Sequence, residues 1–382
     1  MRPEYKMLLA CARSRMDERH ALLIRELARS ALDWEALAAL GRRHSVFPLL
    51  YRQLAAVVPQ DVPPDSLARM KELYQGNTAR NLFLLGELEG VLHALAEDGV
   101  TAIPWKGPLL AIAGYGDLSL RRFVDLDVIV RRNDVERAVA VLNRLGYRAE
   151  PVVSPSQHAF LVRTQHELAF KRDHGRLIVE LHWEVAPRRF ASDLSAEELW
   201  RHATMRALGK SQVLALAPED MLLSLCAHGS KHLWERLAWV CDIAEWLAAH
   251  PELEWPALLA RAERTGQERM LFVGLQLAVE LLDAPLPPAA ARAIASDGAV
   301  ARLVSQARQV IFHDPPRPPG MITGLRFNLL ARRSWPGKWS YLRHLLTPTD
   351  ADVRAFRAPR VLQFAYYVTR PFRLLGKREH LH

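Results

Sequence analysis

Cysteine is scarce in this 382-residue sequence: only Cys11, Cys226 and Cys241 occur, far apart in the chain. They make neither a zinc-type spacing nor an even disulfide framework, so reduced thiols in a reducing compartment are expected. Long apolar runs are missing as well. No segment reaches the ~18 consecutive apolar residues of a membrane span, and the patch MLLACA near the N-terminus meets charge too soon for a secretory signal. The expected location is therefore cytoplasmic. Low-complexity blocks and internal repeats are absent, which argues against a disordered chain.

What is present is a globular composition, 50% hydrophobic and 24% charged, long enough for two or three domains and a sizeable core. The formal charge of +9 is unevenly placed. Residues 301–382 hold fifteen Arg or Lys against four Asp or Glu, a balance of +11, leaving about −2 for the first 300 residues. A basic tail of this kind suits nucleic acid, an anionic membrane surface, or simply a solvated helical face. Within it, VLQFAYYVTRPFRLLGK mixes aromatics with Arg and Lys; packing of those aromatics on the helical region is the expected outcome.

Four regions follow from periodicity. Residues 1–97 read as helices, including a long one from Pro64 to Ala96 that Gly99 stops. Residues 98–190 alternate short β-type runs (TAIPWK, VDLDVIV, YRAEPVV, HELAFKR, RLIVELHWEV) with helices, a small α/β domain. From 191 to 300 the pattern is again helical, with PEDMLLSLCAHGSKHLWERLAWVCDIAEWLAAH as its clearest element and no further strand. The basic tail, 301–382, is partly helical. The expected class is α+β, a mixed sheet flanked by helices on both sides.

In VDLDVIV a strand would project Asp125 and Asp127 from one face and send Val124, Leu126 and Val128 into the core. Like charges held side by side are costly unless a cation neutralises them, and a hard divalent ion suits carboxylate oxygens. In RLIVELHWEV, Leu177, Val179, Leu181 and Trp183 share one face, and Ile178, Glu180, His182 and Glu184 the other. Glu180 is thus the third carboxylate, with Glu184 as its alternate, and three such acids can hold two ions ~4 Å apart. Upstream, Trp105-Lys106-Gly107-Pro108 marks a strand passing into a helix, where free amides, Lys106, Arg121 and Arg122 would meet phosphate oxygens.

The order of these parts resembles the polymerase β-like nucleotidyltransferase superfamily. More narrowly, W-K-G-P-L-L, Y-G, R-R-F-V-D-L-D-V-I-V, V-E-L-H-W and H-G-S-K-H-L-W-E-R-L with C-D-I-A-E-W-L are similar to a bacterial group called uncharacterised nucleotidyltransferases. The resemblance implies a polymerase β-like domain in which Asp125, Asp127 and Glu180 bind Mg²⁺ or Mn²⁺ and catalyse transfer from a nucleoside triphosphate to a hydroxyl of a small molecule or protein. One departure is visible: Lys106-Gly107-Pro108 stands where the superfamily carries a Gly-Ser pair. A non-catalytic nucleotide- or partner-binding module is the alternative that departure supports, and a tail-led RNA- or membrane-surface protein is another.

On the acceptor side the candidates are His182, His228, Lys231, His232 and Asp242. His228 and His232, four apart on an expected helix, point the same way. His158 and His166 flank the strands, and neither takes an assigned role.

Overall fold

A computed structural model describes residues 1–150, 154–185, 196–313, 320–355 and 362–376. Helices Pro3–Cys11, Glu18–Ala28, Trp34–Arg43 and Phe47–Val57 lead to a 34-residue helix, Pro64–Glu97. The carboxylates of Asp17 and Asp33 accept backbone N–H groups at two of these N-termini. Gly99, at φ +71°, turns the chain out of the long helix.

Five strands follow: β1 Ala102–Trp105, β2 Leu126–Val130, β3 Arg148–Glu150, β4 Glu167–Arg172 and β5 Leu177–His182. They form one mixed sheet in the order β1-β2-β5-β4-β3, in which β2 and β5 are parallel and every other pair is antiparallel. The class is α+β. An unanticipated helix, Pro155–Thr164, precedes β4; Ser154 and Gln157 close its first turn as a capping box. Part of the expected YRAEPVV strand, residues 151–153, lies outside the described residues.

Two expectations for the later chain are corrected. Strands do not end at Pro187: β6 Thr204–Leu208 and β7 Ser211–Ala215 form a hairpin closed by Gly209 and Lys210, lying beside β1. Leu208, Val213 and Ala215 are its buried residues, so the period-2 signal was too sparse to read. The long helical stretch from Pro218 is likewise two helices, Pro218–Lys231 and Leu237–Ala249. Between them Leu233 and Trp234 take positive φ, and the fully buried Trp234 ring occupies space that a Cβ on Gly229 or Gly274 would overlap. Burying that indole outweighs continuing the helix.

The basic tail is partly helical as expected, with helices Met321–Leu330, Trp335–Leu345, Asp350–Ala355 and Ala365–Gly376. Its aromatics divide. Tyr366 is buried against Phe160 (centroids 5.3 Å) and hydrogen-bonds Gln157, so this segment packs on the Pro155–Thr164 helix rather than on the helical region. Phe364, Trp335 and Trp339 are exposed. Buried apolar side chains connect continuously from Tyr5 to Tyr366, and all three cysteines are buried and form no disulfide. Among the described residues no helix is long and apolar enough to cross a membrane.

His44 joins the N-terminal helices to the Leu237–Ala249 helix: its Nδ1 accepts the Leu237 N–H at 3.2 Å, and the side chain is buried. Burial, reinforced by Arg43 and Arg236, depresses its pKa to about 3. The unfolded chain therefore takes up this proton first, so the stability it contributes is complete above the unfolded value of ~6.5 and is lost as pH falls below it. We expect His44 alone to cost about 1.4 kcal/mol at pH 5.5. Thermal melts of wild type and His44→Asn between pH 8 and 5 should differ in slope by about one proton; equal slopes would refute the assignment.

Candidate active site

The ladder between β2 and β5 places Asp127 directly beside Glu180, and that between β1 and β2 places Trp105 on Asp127's other side. Two residues further along β5, His182 stands opposite Glu167 of β4. The two-residue repeat of a strand therefore puts Asp127, Glu180, His182 and Glu167 on one face. Asp125 lies immediately before β2. Val124 does not enter the core as expected but is 39% exposed, because regular pairing begins only at Leu126. Leu126 and Val128 are buried as read.

The loop that delivers Arg121 and Arg122 is held by the long helix. Asn81 Nδ2 donates to Leu118 O (2.7 Å) and Arg121 O (2.8 Å), and Asn77 Nδ2 to Ser119 O (3.1 Å). Arg121 is then committed: its Nε and Nη2 donate to the two carboxylate oxygens of Asp242 at 2.8 and 2.9 Å, and Tyr115 Oη donates to the same carboxylate at 2.7 Å. The expected phosphate ligand and the expected acceptor residue are thus a buried pair with each other. Arg122 is exposed overall, yet partial desolvation of its guanidinium, with the nearby cations Arg236 and Arg80, lowers its pKa.

Opposite the acids, Lys106 and Gly107 take φ of +52° and +41° as β1 passes into the helix Gly107–Ala113. Positive φ suits Gly107, and it also brings the backbone against the Asp125 carbonyl, 3.7 Å from where a Cβ would stand. Lys106 Nζ lies over the Trp105 ring (3.7 Å) and donates to His228 Nδ1 (3.1 Å). His228 and His232 do face the same way, their rings 4.8 Å apart, and both lie against Trp239 rather than further metal donors.

These residues line one cleft of about 450 Å³. Asp125, Asp127 and Glu180 reach it from the sheet; Lys106, Gly107, Arg121 and Arg122 from the turn and loop; His182, His228, Lys231, His232 and Asp242 complete it. Glu184 is elsewhere, 3.8 Å from Arg132, and His158 lies 3.4 Å from Glu136. Glu167, Arg236 and Trp239 were missed. The alternation of HELAFKR could have flagged Glu167; Arg236 lies within H-G-S-K-H-L-W-E-R-L without a pattern that singles it out, and nothing local marks Trp239.

Charge is unevenly satisfied here. Burial and the neighbouring carboxylates of Asp127 and Glu180 push Asp125 up to about 7, against the pull of Lys106 and Arg121. Asp127 is held below the usual range: burial opposes ionisation, but Lys106 and the His182 hydrogen bond outweigh it. For His182 burial disfavours the charged ring, yet Asp127, Glu167 and Glu180 raise it well above an ordinary imidazole. Glu167 is lowered well below the usual range by His166 and Lys231, despite its burial.

Donor atoms of Asp127, Glu180 and His182 all lie within 4.8 Å of one another, a donor set that fits a divalent ion. Asp125, the expected partner of Asp127, does not join that trio at this distance.

A mixed sheet with paired carboxylates facing a cleft, and helices before and after it, defines a nucleotidyltransferase-like α+β protein. The model of the family described as "Uncharacterised nucleotidyltransferase" matches residues 30–283, and the chain belongs to that family. No curated protein and no solved structure matches the chain.

The buried Arg121–Asp242 pair makes a direct stability test. Asp242→Ala leaves an uncompensated guanidinium and should cost about 3–5 kcal/mol in urea unfolding. Asp242→Leu combined with Arg121→Met should recover most of that loss. A cost under ~1 kcal/mol for the single variant would mean that the pair is solvated.

Proposed function

We propose that this protein is a metal-dependent nucleotidyltransferase that moves a nucleotide from a nucleoside triphosphate to a hydroxyl of a small molecule or protein. The observation that carries the reading is the register pairing of Asp127 with Glu180 at a cleft whose facing wall bears Lys106. Membership in a nucleotidyltransferase family supports it.

In this reading Asp125, Asp127 and Glu180 hold Mg²⁺ or Mn²⁺, with His182 adjoining. The bound ion supplies Lewis-acid stabilisation of charge developing on the transferring phosphoryl group. Asp125, at the mouth of the pair, receives the acceptor's hydroxyl proton. The acceptor oxygen forms a bond to the α-phosphorus as the bond from that phosphorus to the β-bridging oxygen breaks, and pyrophosphate leaves with the electron pair. Lys106 and Arg122 neutralise the departing phosphates, since Arg121 has two of its donors on Asp242. The Gly-Ser pair of the superfamily is replaced by a lysine at positive φ, so phosphate contact shifts from a hydroxyl to the ammonium and the backbone amides of the turn.

Incubation with each of the four α-³²P nucleoside triphosphates, Mg²⁺ or Mn²⁺, and a cell extract should label an acceptor and release pyrophosphate. Asp127→Asn should lower transfer about 10²–10³-fold while retaining the wild-type circular dichroism spectrum. Transfer that is undetectable with all four nucleotides, or unchanged in Asp127→Asn, would defeat the reading.

A further inference from the structure

We infer that His182 is itself a ligand of the divalent ion, through Nε2, with Glu167 holding the ring's opposite edge, so that the cleft prefers a transition ion of the Mn²⁺ type to Mg²⁺. The inference rests on the metal-dependent reading above and deepens it.

Distances on both edges of the imidazole carry the argument. His182 Nε2 is 3.1 Å from Asp127 Oδ1 and 3.6 Å from Glu180 Oε2. An ion ~2.1 Å from each donor holds neighbouring donors about 3 Å apart and opposite ones about 4.2 Å. The trio, with its atoms within 4.8 Å, therefore closes on one ion with small adjustments.

On the other edge, Nδ1 lies 3.2 Å from Glu167 Oε2 yet has no aligned hydrogen-bond partner. Metal-bound imidazoles ordinarily donate their second N–H to a carboxylate, which fixes tautomer and ring orientation. A modest turn of the ring about its own axis is all that separates Nδ1 from that bond. Glu167 is itself braced by His166 Nε2 at 3.1 Å, and Trp105 closes edge-on against the His182 ring at 5.1 Å. His182 is only 2% exposed, and at the cleft its Nε2 faces the two carboxylates.

A nitrogen donor sets the selectivity. Mg²⁺ favours an all-oxygen octahedron and keeps its waters, whereas an imidazole donor favours first-row transition ions; Mn²⁺ shares the carboxylate preference of Mg²⁺ but accepts the nitrogen more readily. The competing arrangement is a permanently protonated His182, a fixed counter-charge that never meets the metal.

The experiment is electron spin-echo envelope modulation of Mn²⁺ bound to the full chain without nucleotide, with calorimetry of Mn²⁺ and Mg²⁺ binding. We expect ¹⁴N coupling that changes on ¹⁵N-histidine labelling, disappears in His182→Gln and persists in His228→Gln, His232→Gln and His166→Gln. Mn²⁺ should bind at least about 10-fold tighter than Mg²⁺, and Glu167→Gln should weaken Mn²⁺ about 10–100-fold without abolishing the nitrogen coupling. Mn²⁺ binding that Asp127→Asn weakens but that shows no nitrogen coupling, or coupling that survives His182→Gln, overturns the inference and leaves the metal-dependent reading intact. Mn²⁺ binding indifferent to Asp127→Asn overturns both. Should His182→Gln fail to fold, the wild-type spectrum with the other three histidine variants still decides: no coupling refutes, and coupling retained in all three supports.

Discussion

Parallel pairing of β2 with β5 forces the carboxylates of Asp127 and Glu180 to stand side by side in a sheet, and the surroundings of the cleft answer that one constraint. Two adjacent acids in a poorly solvated site repel each other, and the cost is lowered only by nearby cations. The fold supplies them from three directions: His182 from the same strand, Lys106 from the turn after β1, and Arg121 from the loop before β2. They do not suffice for the third acid, and Asp125 is left with its pKa pushed up to about 7. A cleft that holds a frustrated carboxyl beside two others is arranged for a charge that the side chains do not provide.

The same requirement explains why the helical regions close over the sheet. Arg121 is joined to Asp242, 121 positions later, and Lys106 to His228, 122 positions later. Each contact pins a residue near the acidic strand to one of the two helices flanking the Trp234 break. The break has a geometric consequence: with the chain turning at Leu233 and Trp234, His228 on the first helix and Trp239 on the second come to share one wall. A single straight helix would carry residues eleven positions apart well away from each other along its axis. Burial of one indole in space left by Gly229 and Gly274 is thus part of how the cleft is shaped.

Much of the acidic face was legible in sequence because strand periodicity is local and strict. Asp127, Glu180 and His182 follow from alternation in two short runs, and the long helix from its spacing and its terminal glycine. Val124 failed because alternation does not say where pairing starts. The hairpin at 204–215 was hidden because only Leu208, Val213 and Ala215 are buried while Met205 faces out, and the Trp234 break by helix-forming neighbours on both sides. Above all, no local pattern states which charges pair across a fold. Arg121 and Asp242 each looked free to serve a substrate, Arg236 lay in the H-G-S-K-H-L-W-E-R-L stretch with nothing to single it out, and Trp239 carried no motif at all. Sequence reading identifies which residues can do chemistry; tertiary contacts decide which of them are already occupied.

That distinction bears on what the cleft can accept. With Arg121 committed, exposed cations at the rim include Arg122 and Arg236, with the half-buried Arg80 nearby; partial desolvation, and then repulsion from Arg236 and Arg80, lowers the Arg122 pKa. Arg80 is turned to the Val124 and Arg176 carbonyls, and Arg236 approaches Glu235 at 3.9 Å and lies over the Trp239 ring at 5.8 Å. The floor is therefore short of positive charge and the rim short of negative charge, within one cavity of about 450 Å³. A lone anion would relieve the rim and burden the floor; a lone cation would do the reverse. Under the proposed function a triphosphate carrying its divalent ion would satisfy both at once, Asp127 and Glu180 holding the metal and Lys106 and Arg122 meeting phosphate oxygens. That electrostatic division, rather than the two aspartates taken alone, is what supports the proposed metal-bound nucleoside triphosphate as substrate.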